Sequence, residues 1–120
     1  MTREQKRAKS AYERIIQHCT KDKDWREQYG GMAHKLPVLV RQAGLAQALA
    51  FVESRGQEAH RALLEDLAGT VGLSKAELLR KSREANLSEY LFLTREVLAA
   101  AQWYKRFSQS VLDVEAGAGQ

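Results

Sequence analysis

Apolar positions in this chain recur with a helical period almost from end to end, and no run alternates convincingly with the period of a strand. Ala8, Tyr12, Ile15, Ile16 and Cys19 form the first stripe. It predicts a helix from Thr2 to about Thr20, opened by a capping box of Thr2 with Gln5. Lys21-Asp22-Lys23 is a polar break, after which Asp24, with Glu27 three residues on, predicts the next cap. From there Trp25, Tyr29, Met32, Leu36, Leu39, Val40 and Ala43 keep one phase. Gly30-Gly31 and Pro37 oppose a helix locally, by backbone entropy and a missing donor. The unbroken phase predicts one kinked helix through them; a break near Gly30-Gly31 is the alternative.

After Gly44 the apolar set Leu45, Ala48, Leu49 and Val52 lies roughly opposite the set Leu36, Leu39, Val40 and Ala43. A break at Gly44, where the left-handed position past a helix end suits glycine, gives each helix one apolar face. The stretch from Tyr29 to Ser54 is therefore the expected hub of the core. A third helix runs from Leu45 to about Arg55 and ends at Gly56. Ala59, Leu63, Leu64, Leu67 and Val71 stripe a fourth, stopped near Gly72. Ser74 and Glu77 form a capping box with Leu73 and Leu78 at the staple positions, predicting a short helix from Lys75 to Ala85. Asn86 with Glu89 starts the last helix, expected to reach about Val114 with Tyr90, Leu93, Val97, Ala101, Tyr104 and Leu112 on one broad face. Phe92 and Trp103 project elsewhere, about 20° apart on the wheel. The expected fold is all-α: a compact single-domain bundle of five to six helices over residues 1–116, with a disordered tail at 117–120.

With 120 residues the chain is long enough for a real core. Its 44% hydrophobic and 28% charged content is that of a soluble globular protein. Cys19 is the only cysteine, so there is neither an internal disulfide nor a Cys-x-x-Cys zinc pair; the expected compartment is reducing and cytoplasmic. The N-terminus lacks the apolar core of a signal peptide, and no run of about 18 apolar residues spans a membrane. A net charge of +4 is compatible with a nucleic-acid partner without demanding one.

Catalytic and metal-binding patterns are missing. His18, His34 and His60 make no His-x-x-His or His-x-x-x-His pair. Asp22 and Asp24 in a Lys-Asp-Lys-Asp turn read as helix-cap residues rather than a nuclease metal site. No Gly-x-Ser-x-Gly, P-loop or Gly-x-Gly-x-x-Gly occurs. The expectation is no enzyme, no cofactor, no metal and no small-molecule substrate.

Lys35-Leu36-Pro37, Val40, Gly44-Leu45 and Ala48-Leu49-Ala50-Phe51 together resemble the signature of the small helical subunit of type III-B CRISPR effector (Cmr) complexes. Arg7-Ala8-Lys9 with Ala11-Tyr12, and Tyr90, Leu93-Thr94, Glu96 and Trp103-Tyr104-Lys105-Arg106-Phe107, are similar to the same family. Order and spacing carry the resemblance, which spans nearly the whole chain except the stretch from Gln57 to Glu84. One departure is Ala43, where the family often has a polar residue such as Asn.

The resemblance implies a non-catalytic subunit that lies in an inner filament. Its partners would be further copies of itself, the backbone subunit, the large subunit, and the crRNA–target RNA duplex held through phosphates. Nucleic-acid contacts carried over from the family pattern are Arg7, Lys9, Lys35, Lys105 and Arg106. Lys6, Arg14 and Arg41 are added on charge and helix position. Phe92 and Trp103 are candidates for the subunit interface, or alternatively for this domain's own core. The competing function is a helix-turn-helix DNA-binding regulator built from Leu63 to Phe92, with Lys75 to Ala85 as recognition helix.

Overall fold

Thr2, Asp22, Ser74 and Asn86 open four of the six helices in the computed structural model, which describes residues 1–119. These are α1 (Arg3–Ile15), α2 (Lys23–Ala43), α3 (Leu45–Arg55), α4 (Glu58–Thr70), α5 (Lys75–Glu84) and α6 (Leu87–Ser110), with no strand among the described residues. The all-α expectation holds.

Both expected capping boxes form. The Gln5 amide donates to Thr2 Oγ1 at 3.0 Å, and the Glu77 amide to Ser74 Oγ at 3.1 Å. The Ser74 amide donates in return to the Glu77 carboxylate at 3.0 Å, which favours the charged form and lowers its pKa. The expected cap of the second helix is corrected by two residues. Asp22, in extended backbone, accepts the Trp25 amide at 2.8 Å, and Asp24 lies inside the first turn. Lys23 therefore belongs to the helix, not to the break. At the other end of α1, the expected helix to Thr20 stops at Ile15 and tightens into a 3-10 turn over Ile16–His18.

α2 runs unbroken through Gly30, Gly31 and Pro37. The two glycines are explained by what lies against them. A Cβ on Gly30 would come within 2.6 Å of Val114 Cβ, and one on Gly31 would run into the carbonyl of Ala118. The glycines thus form a groove in which the C-terminal segment rests directly on the helix backbone. Arg26 donates to the Leu112 carbonyl at 3.2 Å, and His34 Nε2 to the Val114 carbonyl at 2.8 Å. α6 ends at Ser110, short of the expected Val114. Asp113 then adopts a positive φ of 59°, a region that short polar side chains tolerate, and turns the chain back onto α2. Of the expected tail, Gln120 lies outside the described residues, and Ala118 is half-buried.

Gly44, at φ 88°, separates α2 from α3 as the opposed stripes required. Glycine has no side chain to cap α3, so the hydroxyl of Tyr90 on α6 accepts the Ala46 amide at 3.1 Å. α4 closes in a Schellman turn: the Leu73 amide donates to the Ala68 carbonyl at 2.9 Å, and that of Gly72 to Gly69 at 3.1 Å.

α2 packs against α3, α4 and α6, so the hub is placed as the sequence predicts. Tyr29, Leu36, Leu45, Leu49, Leu63, Leu67 and Tyr104 are fully buried around it. Burial of such apolar area is the main favourable term holding the bundle. A polar chain threads this core. Asp66 Oδ2 accepts Tyr29 Oη at 2.6 Å and faces His18 Nε2 at 2.8 Å. Tyr104 Oη donates to the Asp66 carbonyl at 3.0 Å and meets Thr70 Oγ1 at 2.7 Å. Burial, and then the nearby Asp66 charge, push the Tyr29 phenol well above its ordinary pKa. Burial does the same for Tyr104.

Candidate nucleic-acid and subunit interface

The eight candidate basic residues divide among three helices. α1 carries Lys6, Arg7, Lys9 and Arg14; α2 carries Lys35 and Arg41; α6 carries Lys105 and Arg106. α1 packs along α6, through Tyr12 edge-on to Phe107 at 5.6 Å between ring centres and Trp103 Nε1 donating to Glu4 at 3.0 Å. Lys6, Lys9, Arg41 and Arg106 are exposed, while Lys35 and Lys105 are half-buried. Such side chains lay an apolar stem on the protein and keep the charge in water.

Arg7 and Arg14 are differently placed. The Arg7 guanidinium reaches Glu4 at 3.2 Å and Glu96 at 2.8 Å, with 17% of its side chain exposed. Arg3 meets the same Glu96 oxygen at 2.9 Å. Arg14 donates through Nε to Ser10 Oγ at 3.2 Å, and its guanidinium lies over Gly69, where a Cβ would collide with it. To hold a phosphate, either arginine would have to leave these partners or share them.

Phe92 and Trp103 separate in space despite their kinship on the wheel. Trp103 stacks on Phe107 with ring centres 5.5 Å apart, packed against the core. Phe92 is 52% exposed. It borders a cleft of about 520 Å³ between α5 and α6, lined also by Val71, Leu73, Lys81, Leu93 and Arg95. Leu87 and Leu91 stand exposed on the same end of α6. Sequence reasoning passed over both leucines and the cleft. The available signal was their position off the broad core face of α6.

Among the described residues, no three His, Cys, Asp or Glu side chains are placed to hold a metal ion. No described helix is long and apolar enough to cross a membrane.

A sequence model of the CRISPR-associated protein family Cas_Cmr5 matches residues 3–111. The chain belongs to the Cmr5 family. It is 55% identical over 113 residues to the CRISPR system Cmr subunit Cmr5 of Thermus thermophilus, spanning 93% of this chain and 97% of that one. The X-ray crystal structure of a CRISPR-associated Cmr5 family protein from Thermus thermophilus superposes with a TM-score of 0.86 at 56% identity, covering 93% of this chain and 98% of that one.

The Cmr5 match includes the stretch from Gln57 to Glu84, which carried no resemblance by motif. It stops at Val111, ahead of the segment that folds back onto Gly30 and Gly31. The helix-turn-helix reading gains no support from this Cmr5 fold. The first turn of α5 spends Glu77 on its own capping box, and Lys75 is half-buried.

Proposed function

We propose that the chain is the small subunit of a type III-B CRISPR effector (Cmr) complex, without catalytic activity of its own. The observation that carries this reading is 55% identity to a Cmr subunit along almost the full length of both chains.

In this role the bundle forms part of an inner filament packed against the backbone subunits, and it supports crRNA-guided binding of target RNA. Guide pairing reads the target sequence, so the protein's contacts go to phosphates, which position the RNA without specifying it. Lys6, Lys9, Lys35, Arg41, Lys105 and Arg106 are the residues assigned to that task. Arg7 and Arg14 join them only by sharing their present partners. Phe92 is assigned to a subunit contact; Trp103 contributes through its packing between α1 and α6.

Reconstitution tests the reading. The purified chain should co-elute with the other subunits of the complex and raise the amount of target RNA the complex retains. Failure to join it contradicts the assignment. The isolated chain with divalent metal should cleave neither RNA nor DNA. Cleavage that tracks with the chain through purification, and that one acidic substitution abolishes, contradicts the non-catalytic role.

A further inference from the structure

We propose that the cleft between α5 and α6 receives an amphipathic helix of a neighbouring protein, apolar along one ridge and carboxylate-bearing on its flanks. This rests on reading the chain as one subunit of a larger assembly.

The floor of the cleft is apolar: Val71, Leu73, Leu93 and the half-exposed ring of Phe92. Its free charge is positive. Lys81 and Arg95 are exposed, and neither makes an ion pair among the described residues. Of the two carboxylates that line the cleft, Glu96 is paired with both Arg3 and Arg7, and Glu89, which accepts only the neutral Asn86 amide at 3.3 Å, is outnumbered by the two unpaired cations. Past Val71 and Glu96 the surface continues into a second depression bordered by Lys6, which extends the positive field. A partner that buries the floor without leaving these cations unpaired must bring carboxylates. A second copy of this chain, with a net charge of +4, brings the wrong sign overall.

The apolar surface fits protein better than RNA. Single strands are held on successive ring faces, and this cleft offers only Phe92. Beside it stand Leu87, 73% exposed, and Leu91, 50% exposed, whose aliphatic side chains give bases nothing to stack on. A trough between two helices seats the side-chain ridge of a third, with anchors at helical spacing.

The test uses the complex reassembled from its subunits with crRNA. Phe92→Ala and Arg95→Glu are each compared with wild type for incorporation, with the exposed Phe51→Ala on α3 as control. Circular dichroism and melting confirm that each variant folds. Incorporation should weaken about 10-fold or more for Phe92→Ala, the size expected of an aromatic anchor. It should weaken comparably for Arg95→Glu and stay unchanged for Phe51→Ala. A photo-crosslinking benzoylphenylalanine placed at Leu91 should map to a carboxylate-rich amphipathic helix of another subunit. Crosslinks to RNA or to another copy of the chain overturn the proposal. So does wild-type incorporation of both variants while the wild-type chain assembles normally. A wild-type chain that fails to assemble brings down the subunit reading itself, and this inference with it.

Discussion

Arg7 and Glu96 lie 89 positions apart in sequence and 2.8 Å apart in space, with most of both side chains shielded from water. This pair ties the start of α1 to the middle of α6. It makes Arg7 a structural residue first, whatever it also does for RNA. Arg7→Ala should therefore cost roughly 1–3 kcal/mol, the range for a hydrogen bond to a charged group that is partly withdrawn from solvent. Lys9→Ala, on the exposed side of the same helix, should stay within about 0.5 kcal/mol of wild type. Urea unfolding of the two variants checks this, and equal midpoints for both would refute it.

The packing of the C-terminal segment on α2 gives a second expectation. Alanine is the better helix former by about 1 kcal/mol, so Gly31→Ala in a free helix would stabilise. Here the added methyl meets the Ala118 backbone, and the net effect should be a loss of about 1–3 kcal/mol, as for overpacked sites. In a chain ended after Val111 the same substitution should become neutral or stabilising. A double-mutant cycle of Gly31→Ala with that truncation measures the coupling. Additive effects would show that the segment does not press on the glycines.

These glycines also show where the sequence was legible and where it was not. Caps at Thr2, Ser74 and Asn86, the breaks at Gly44 and Gly56 and the apolar stripes are local signals, and each is read within a few residues. Gly30-Gly31 reads locally as a helix breaker, yet it accommodates a segment more than 80 positions away, which no local window contains. Asp22 outcompeted Asp24 as the cap because backbone geometry, not residue type, selects between neighbouring aspartates. Among the candidate basic residues, charge and helix position gave Lys6 and Arg41 and the family pattern gave Lys9 and Arg106, all four exposed. The same signals could not reveal that Arg7 turns toward Glu96 or Arg14 toward Ser10. Asp66 sits in a stripe of leucines on α4 and is not singled out in the sequence; its partners Tyr29, His18 and Tyr104 come from three other parts of the chain.

His60 on α4 supplies a pH dependence. Burial, and then the charge of Arg55, lower its pKa below the ordinary 6.5. The folded state thus favours the neutral ring, and the unfolded chain binds the extra proton first. That contribution to stability is complete above about pH 6.5 and is lost as pH falls through the lowered value. Stability should decline on acidification toward pH 5, and His60→Gln should flatten part of the decline. Melting midpoints of both proteins across pH 5–8 give the comparison. Parallel curves would exclude His60 as a source.

The role of the basic surface in holding RNA is tested most directly by salt. Complexes are rebuilt with the wild-type chain and with a Lys105→Ala, Arg106→Ala double variant, and target-RNA affinity is measured from low to high salt. The logarithm of the binding constant should fall linearly with the logarithm of salt concentration for both, because neutralised phosphates release counterions. The variant should bind more weakly by about the same factor for unrelated target sequences paired with matching guides. Its slope should be shallower by about one unit for each phosphate that the variant no longer neutralises. Identical slopes and affinities for the two complexes would contradict the account, leaving RNA binding to the other subunits.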